Sequence, residues 1–363
     1  MSAPSPAPPT ASPLRSDAAR VGPTGAVLDP ALTDPAVAAL LAELDASASR
    51  QIPPHPNTVD AYANDWRAWV RFLTDFNAAL RAADPDAPEI PDTATNYGLF
   101  VAFVGWHETR GLAPATIRRR VYGVAVTQRR RGVSVPPESL AAALRKTEIY
   151  EGELARAGQK RGRGKAPAVA IPHLRRIGAR LSDDTLAGVR DHALVLLGFA
   201  IGARRSDLAA LDIGDIEISD EGLVVNVRYG KTGARSPAVP RGTHPRTCPV
   251  RAVLAWLGEL AEIAILTGPL FRAIDRHGNL GDRRLSPRAI GEIITRTGEL
   301  ADLDIHVTGH SLRSGMATAA RRAGHDAKTI ATQGGWNPNS AALFGYMHIA
   351  DQFGDNALQG IGL

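Results

Sequence analysis

The stretch TGHSLRSGMATAARRAGHD, from Thr308 to Asp326, places an imidazole and a guanidinium three residues apart at the head of an alanine-rich run. The alanines favour a helix. Residues i and i+3 lie on one helix face, so His310 and Arg313 can address one target. Two side chains that donate hydrogen bonds and carry positive charge suit an anion. The stretch therefore predicts an anion-binding helix start in the C-terminal part of the chain.

Length and composition narrow the class of protein. The 363 residues suffice for two domains, and 44% hydrophobic with 22% charged residues is typical of a soluble globular chain. The formal charge of +5 favours a polyanionic partner. Cys248 is the only cysteine, which excludes an intramolecular disulfide and a cysteine cluster for zinc. No apolar run suits a membrane span or a signal peptide, so we expect a cytoplasmic protein with no membrane contact.

The N-terminal part predicts an arm followed by a helical domain. Residues 1–50 are rich in Pro, Ala and Ser, and they predict a disordered arm with a short helix from Thr33 onward. Residues 51–155 contain four stretches with helical apolar spacing, the first capped by Asn57. Gly111 and Gly132 follow the second and third stretches, as is typical of helix ends.

Basic clusters lie in and after this helical domain. Two triplets interrupt it, namely Arg118, Arg119, Arg120 and Arg129, Arg130, Arg131. One triplet alone is typical of a solvated helix face, whereas two in a small domain also fit a phosphate-binding surface. Residues 156–168 form a Gly-rich basic linker, with further candidate phosphate contacts at Lys160, Arg161, Arg163 and Lys165. A flexible connector without contacts explains the linker equally well.

Residues 169–363 show a mixed pattern. Short strand-like runs at 216–218, 223–229 and 237–239 are joined by turn signals within otherwise helical sequence. The fold prediction is therefore mainly α, with an N-terminal helical domain and a C-terminal α+β domain that contains a small antiparallel sheet.

Four residues join His310 and Arg313 as candidates for one site. Arg204 lies in GARRSDL after an apolar helix, Lys231 in the turn YGKTG, Trp336 at the end of QGGW, and Tyr346 in ALFGYMH. Each has a plainer alternative. The arginine can pair with Asp207 at a helix end, the lysine can be a solvated edge residue, and the two aromatic side chains can pack in a core.

Taken in order, these residues resemble the signature of the tyrosine recombinases, the lambda-integrase or phage integrase family of site-specific recombinases. LGFAIGARRSDLAALDIGDI is similar to the family's first arginine box, and GHSLRSGMATAARRAG is similar to its His-x-x-Arg box. QGGW resembles the tryptophan form of the next position, with an interval to the tyrosine one residue longer than usual. Tyr346 is the one tyrosine of six that follows the His-x-x-Arg box.

The resemblance implies a SAM-like core-binding domain, a catalytic domain and a reaction. Tyr346 would attack a DNA phosphodiester to give a 3′-phosphotyrosyl intermediate and a free 5′-hydroxyl. Arg204 and Arg313 would hold the nonbridging oxygens, and Lys231 would protonate the leaving 5′ oxygen. His310 would bond the phosphate or take the phenol proton.

By the same resemblance, Trp336 would buttress the phosphate pocket and Asp207 would support the first arginine. The implied partners are double-stranded DNA with specific recombination sites, a homo-tetramer that exchanges strands through a Holliday junction, and accessory proteins. We expect a nucleoid-associated protein with neither cofactor nor metal. The segment from Asp351 to Leu363 would dock on a neighbouring subunit or form a frayed tail.

Three other functions fit parts of the sequence. A type IB topoisomerase uses similar chemistry without pairing two specific sites, and residues alone barely separate it from a recombinase. A cleavage-inactive DNA-binding relative conflicts with the complete candidate set. A metal-dependent DDE integrase would need an acidic triad, which we do not find. The sequence leans toward an integrase of a mobile element.

Overall fold

The computed structural model describes residues 34–51, 56–162, 164–181, 183–230, 233–350 and 358. Most of the predicted N-terminal arm lies outside these residues, as do two of the predicted site residues, Arg163 and Lys231. The chain divides into two compact units, one ending at residue 162 and one beginning at residue 163. None of the helices in the described part of the chain is both long and apolar enough for a membrane span.

Helices make up the first unit where it is described. They are α1 (Pro35–Gln51), α2 (Pro56–Ala83), α3 (Tyr97–Thr109), α4 (Pro114–Arg130) and α5 (Pro137–Arg156). The prediction of Asn57 as the cap of α2 is wrong, because the helix already begins at Pro56, a residue suited to a first turn. Gly111 and Gly132 follow α3 and α4 with φ of 66° and 78°.

An aromatic cluster forms the core of the first unit. The Trp69 ring lies 5.4 Å from that of Phe100 and 5.1 Å from that of Phe103, measured between centroids. Phe72 joins the same cluster, with its centroid 5.3 Å from Phe103. Such ring pairs stabilise a core beyond the area they bury. They fix α2 against α3.

The second unit combines helices with small antiparallel sheets. Its helices are α6 (Ile171–Arg180), α7 (Leu186–Ala200), α8 (Arg205–Ala210), α9 (Pro249–Glu262), α10 (Pro287–Leu300), α11 (Gly309–Arg322), α12 (Ala327–Gly334) and α13 (Ala341–Ala350). Strands β1 (Ile216–Ile218), β2 (Gly222–Val225) and β3 (Ala238–Pro240) form a sheet in the order β1-β2-β3. The predicted mainly α architecture with a small antiparallel sheet is confirmed.

A second hairpin was not predicted. Strands β4 (Arg272–Ile274) and β5 (Leu280–Arg284) pair antiparallel around a turn at Asp275. The Asp275 carboxylate accepts hydrogen bonds from the backbone N–H groups of His277 (2.8 Å) and Asn279 (2.9 Å). The sequence of β5, LGDRR, lacks the alternating apolar pattern of a half-buried strand, so periodicity gave no signal.

Helix α7 forms the centre of the second unit and is buried from Gly188 to Gly198. It packs against α9, whose Trp256 is fully buried and donates its indole N–H to the carbonyl of Leu270 at 2.8 Å. A smaller apolar cluster, which includes Met316, Ile330 and Leu343, joins α11, α12 and α13. This cluster positions the C-terminal candidate residues on α11.

Candidate active site

The start of α11 is fixed by a local hydrogen bond, in which Thr308 N–H donates to Ser311 Oγ at 3.0 Å. His310 lies in the first turn and is exposed, whereas Arg313 lies one turn further on and is only 3% exposed. The two residues predicted to share a helix face therefore occupy different environments. His310 meets solvent, and Arg313 is enclosed by protein.

Arg313 is held by three backbone carbonyls and an indole ring. Its Nη1 donates to the carbonyls of Gly202 and Gly334, and its Nη2 donates to that of Gly335 at 3.3 Å. Its Cζ lies 3.6 Å from the centroid of the Trp336 ring. Three of the five guanidinium N–H groups are thereby used, so two remain for a ligand.

Arg313 keeps its charge in this enclosed position. Burial, followed by the charges of Arg204 and Arg235, lowers the pKa of Arg313 to about 9. The side chain is therefore still protonated at neutral pH. A buried cation with neighbouring cations and few counter-ions is unfavourable on its own, and an anion at this place would relieve it.

The side chains of Arg204 and Arg313 donate to the same acceptor. The Gly335 carbonyl accepts from Arg204 Nη2 at 3.4 Å as well as from Arg313. Arg204 Nη1 is buried and has no hydrogen-bond partner among the described residues. It lies 4.0 Å from Asp207 Oδ2, whose other contacts include the Arg204 backbone N–H at 3.1 Å. Arg204 therefore offers a buried donor that forms no hydrogen bond with a described residue.

We call Arg204, Arg313, Trp336 and the carbonyls of Gly334 and Gly335 the arginine pocket. Its shape depends on two adjacent glycines at the end of α12. A Cβ on Gly334 would lie 1.9 Å from Trp336 Cζ3, so a side chain there would displace the indole ring. Gly335 has φ 64° and ψ 53°, a left-handed conformation that ends the helix.

A further arginine contacts this pocket and was missed by the sequence analysis. Arg235 Nη1 donates to the carbonyls of Ile201 (3.0 Å) and Gln333 (2.8 Å), and its Nη2 donates to Asp207 Oδ2 at 3.3 Å. Its side chain is 10% exposed. The one available signal was its place as the only basic residue between the YGKTG turn and β3.

Tyr346 lies on α13 beside Trp336. The two ring centroids are 6.1 Å apart with an interplanar angle of 63°, an edge-to-face contact. Tyr346 and His310 line one cleft, together with Lys165 and Arg205. The Lys165 Nζ lies close to the backbone of α13, since a Cβ on Gly345 would be 3.0 Å from it.

The imidazole of His310 is surrounded by positive charge. Partial desolvation of the ring, then the charges of Arg205, Arg313 and Arg204, lower the pKa of His310 below its ordinary value of 6.5. The ring is therefore neutral at pH 7, with one nitrogen able to accept a proton. Arg205 was not predicted, and it packs over Gly309 at the start of α11.

Of the predicted set, the structure brings together Arg204, Asp207, Arg313 and Trp336, with Tyr346 against the Trp336 ring. Lys231 lies outside the described residues. The residues that flank the gap are joined by a hydrogen bond from Gly233 N–H to the Gly230 carbonyl at 3.0 Å. No group of three or more His, Cys, Asp or Glu side chains in the described part of the chain could hold a metal ion.

The candidate DNA contacts in the first unit mostly have protein partners. Arg118 pairs with Glu151 at 3.0 Å, Arg119 with Asp65 at 2.6 Å and Arg131 with Asp92 at 2.9 Å.

The other basic candidates have looser surroundings. Arg120 lies 3.4 Å from His107 Nδ1, and the Arg130 guanidinium lies 5.5 Å from the Tyr62 ring centroid. The Arg129 side chain is exposed and makes no hydrogen bond or ion pair with a described residue. In the linker, Lys160 and Lys165 are exposed, and exposed Arg161 donates to Gln159 at 3.4 Å.

The sequence is similar to known proteins over most of its length. The model of the phage integrase family matches residues 174–352. An integrase/recombinase XerD homologue of Selenomonas ruminantium is 30% identical over 314 residues, which cover 83% of this chain and 84% of that protein. The tyrosine recombinase XerC of Chromohalobacter salexigens is 26% identical over 281 residues, or 76% of this chain and 80% of that one.

Solved structures show the same fold. A lambda integrase (75–356) dimer bound to a COC′ core site is 17% identical, with a TM-score of 0.53, and covers 85% of this chain and 93% of that one. The XerH site-specific recombinase bound to a palindromic difH substrate is 16% identical, with a TM-score of 0.51, and covers 80% of this chain and 76% of that one. The resemblance predicted from the sequence motifs is confirmed. The chain belongs to the phage integrase family and is a tyrosine-type site-specific DNA recombinase.

Proposed function

We propose that this recombinase cleaves and rejoins DNA through Tyr346, with the scissile phosphate bound in the arginine pocket. The main observation behind the proposal is that two arginine side chains donate to one carbonyl, that of Gly335. Arg204 and Arg313 both donate to the Gly335 carbonyl, and the buried Nη1 of Arg204 forms no hydrogen bond with a described residue. Forked guanidinium donors match the nonbridging oxygens of a phosphodiester, and charge-assisted bonds to them strengthen as negative charge grows.

In the cleavage step, Tyr346 Oη forms a bond to phosphorus while the bond from phosphorus to the 5′ oxygen breaks. The phenol proton passes to the neutral imidazole of His310, which lines the same cleft. Lys231 gives a proton to the leaving oxygen, which becomes a free 5′-hydroxyl. Religation reverses these transfers with a 5′-hydroxyl from the partner strand.

The remaining residues have supporting roles in this proposal. The Trp336 ring holds the Arg313 guanidinium from one side, at 3.6 Å, and makes an edge-to-face contact with Tyr346. Asp207 is 1% exposed and orients Arg204 through the backbone N–H of that residue. Since the charge on the phosphate is balanced by arginines, we expect neither metal nor cofactor.

We further propose that residues 51–155, within the first unit, form the core DNA-binding domain. The arginine triplets and the basic residues of the linker, including Arg163, would neutralise DNA phosphates. Lambda integrase and XerH have been solved on DNA core and difH sites, which supports specific duplex sites as the substrate here. We expect a homo-tetramer that forms a Holliday junction, with accessory proteins, in a nucleoid-associated cytoplasmic setting.

Covalent trapping tests the proposal. Nicked duplexes that tile the DNA flanking the coding sequence are incubated with the protein in EDTA, and denaturation-resistant adducts are separated by electrophoresis. The wild-type chain should form an adduct with at least one tile. Tyr346→Phe should bind that tile with unchanged affinity and form none, because its ring has no hydroxyl.

Tyr97→Phe is the matched control, since Tyr97 is 59% exposed and lies in the first unit. It should form the adduct at the wild-type rate. An adduct with Tyr346→Phe would remove that residue from the nucleophile position, and binding without any wild-type adduct would favour a cleavage-inactive relative. Relaxation of supercoiled plasmid without a specific site would favour a topoisomerase.

A further inference from the structure

We infer that Arg205 binds the DNA phosphate next to the scissile one, on the strand that Tyr346 cleaves. The inference deepens the proposed function and rests on it, because that function places the scissile phosphate between the arginine pocket and His310. Arg205 would add affinity and hold the strand in register, without taking part in the bond-making step.

Two buried glycines fix the stem of Arg205. A Cβ on Gly309, at the start of α11, would lie 2.5 Å from Arg205 Cδ, and a Cβ on Gly291, on α10, would lie 2.9 Å from the same atom. The arginine therefore occupies the space that two side chains would otherwise fill. Its methylene stem is packed across α10 and α11, while the residue as a whole is exposed. Such a side chain has a fixed stem and a charged end in solvent.

The charged end of Arg205 makes no hydrogen bond or ion pair with a described residue. Two other arginines beside it are already paired, Arg288 with Glu292 at 2.8 Å and Arg296 with Asp191 at 2.6 Å. The nearby carboxylate of Asp207 contacts Arg204 and Arg235 instead. Arg205 is thus placed as an exposed donor for an external acceptor.

Arg205 lies where two clefts of the second unit join. The first is the cleft of Tyr346 and His310, and the second runs along α10 past Gly291 and Thr295. Both clefts are lined by the same four residues, which are Arg205, His306, Thr308 and Gly309. A strand whose scissile phosphate lies at Tyr346 would continue past Arg205 if it followed this path.

The distance to the active site suits the adjacent phosphate. Arg205 Nε would lie 3.3 Å from a Cβ on Gly309, and Gly309 immediately precedes His310. The charge of Arg205 is also the largest electrostatic influence that lowers the pKa of His310, after desolvation of the ring. Successive phosphates of one strand advance by about 3.4 Å along the DNA axis. A guanidinium one residue from His310 can therefore bind a neighbouring phosphate while Arg313 binds the scissile one.

A purely structural role does not account for this position. An uncharged side chain could fill the space over the two glycines without adding charge beside Arg204 and Arg313. The added positive charge is unfavourable in the unbound protein, and a polyanion would compensate it.

Removal of the guanidinium should weaken binding more than chemistry. Arg205→Gln should lower the affinity for the DNA tile that wild type converts to adduct by about 10-fold, the loss of one charge-assisted contact. The slope of log affinity against log salt should fall by about 1. The rate of adduct formation at saturating protein should stay within about threefold, because the contact is the same before and during bond cleavage.

Neutral phosphates locate the contact on the DNA. The length of the strand released from the tile identifies the scissile phosphate, and each of its two neighbours on that strand is then replaced in turn by a methylphosphonate. Affinities are measured by fluorescence anisotropy in a Tyr346→Phe background, where binding is not followed by cleavage. At one neighbour, the replacement should cost the parent protein about 10-fold and Arg205→Gln less than about threefold, because the arginine that reads this charge is gone.

Two further variants complete the set. Gly291→Ala keeps the arginine but adds a Cβ that would lie 2.8 Å from its Nη1, so the guanidinium must move. This variant should remain folded, since alanine favours a helix interior, and should lose most of the sensitivity to the same methylphosphonate. Arg241→Gln removes an exposed arginine beyond β3 that donates to the Asp220 carbonyl, and it should keep the full sensitivity.

Equal sensitivity of the parent protein and folded Arg205→Gln at both neighbouring phosphates would overturn the inference. A slower rate at saturation with unchanged affinity would also overturn it, since Arg205 would then act through His310 and not on DNA. Thermal unfolding shows whether each variant is folded, and Gly291→Ala decides by the same sensitivity if Arg205→Gln is not. A wild-type chain that binds the tiles and forms no adduct would instead contradict the proposed function.

Discussion

Arg313 in the second unit lies on the Trp336 ring and donates to three backbone carbonyls, whereas Arg119 in the first unit is 46% exposed and pairs with one buried carboxylate, Asp65. Both arginines belong to helices, and both follow sequence patterns that suggested phosphate binding. Backbone carbonyls neutralise no charge, so Arg313 still needs an anion. Arg119 already has one.

Under the proposed function, the difference would give two ways of using arginine with DNA. The arginine pocket is assembled before the ligand arrives, so it can favour one phosphate in one orientation. Three arginines of the triplets, Arg118, Arg119 and Arg131, would have to exchange carboxylate partners for phosphates, which would give adaptable contacts that depend on salt. We expect catalysis to depend on the first group and affinity on the second.

The largest effect is expected from a change at Arg313, whose guanidinium is held by backbone carbonyls. Arg313→Lys keeps the charge but loses the forked donors, so it cannot bind three carbonyls and the phosphate together. The single-turnover rate of adduct formation should fall about 1000-fold, by analogy with loss of an oxyanion donor. The DNA affinity, measured by fluorescence anisotropy, should change less than about threefold. A rate within 10-fold of wild type would contradict the proposed difference in catalytic importance between Arg313 and the surface arginines.

The next largest effect is expected from comparing Arg119→Ala with Arg129→Ala in the first unit. Arg119→Ala removes the ion-pair partner of fully buried Asp65 and should lower the free energy of unfolding by about 2 kcal/mol, less than for a fully buried pair. Arg129→Ala should change that free energy by less than about 0.5 kcal/mol. It should instead reduce the slope of log affinity against log salt by about 1.

Urea denaturation and anisotropy titrations over a salt series measure these two properties. The reverse pattern, with Arg129 important for stability and Arg119 only for the salt slope, would show that the ion pair with Asp65 does not fix Arg119.

The smallest effect concerns a buried histidine under the first triplet. Burial, then the charges of Arg120 and Arg110, lower the pKa of His107 to about 3. Unfolded His107 takes up a proton below about pH 6.5, while the folded protein does so only near pH 3. The stability of the first unit should therefore fall as pH falls below 6.5, by about 1 kcal/mol between pH 6 and pH 5.

The His107→Gln variant isolates this contribution. Its free energy of unfolding should depend less on pH over the same interval than that of wild type, as measured by urea denaturation. Parallel pH profiles for the two proteins would mean that His107 takes up a proton over the same pH range in the folded and unfolded states.

The sequence predicted helices and strands better than it predicted contacts between side chains. The predicted strand at 216–218 matches β1, and the helix with the His-x-x-Arg box begins where expected. The hairpin of β4 and β5 was missed because its second strand has no apolar alternation. Arg235 was missed because a lone arginine near a turn is ordinarily solvated, and only the folded chain shows it buried against Asp207.

By itself the sequence determined the family and the order of the candidate residues, and it predicted Tyr346 as the nucleophile, since local motifs and their order carry that information. Only the tertiary structure decided how Arg313 is held and that Arg235 joins the pocket. Gly202 lies 111 residues from Arg313 in the chain, and Gln333 lies 98 from Arg235. Hydrogen bonds to backbone carbonyls cannot be predicted from the identity of the accepting residue, because every residue carries the same acceptor.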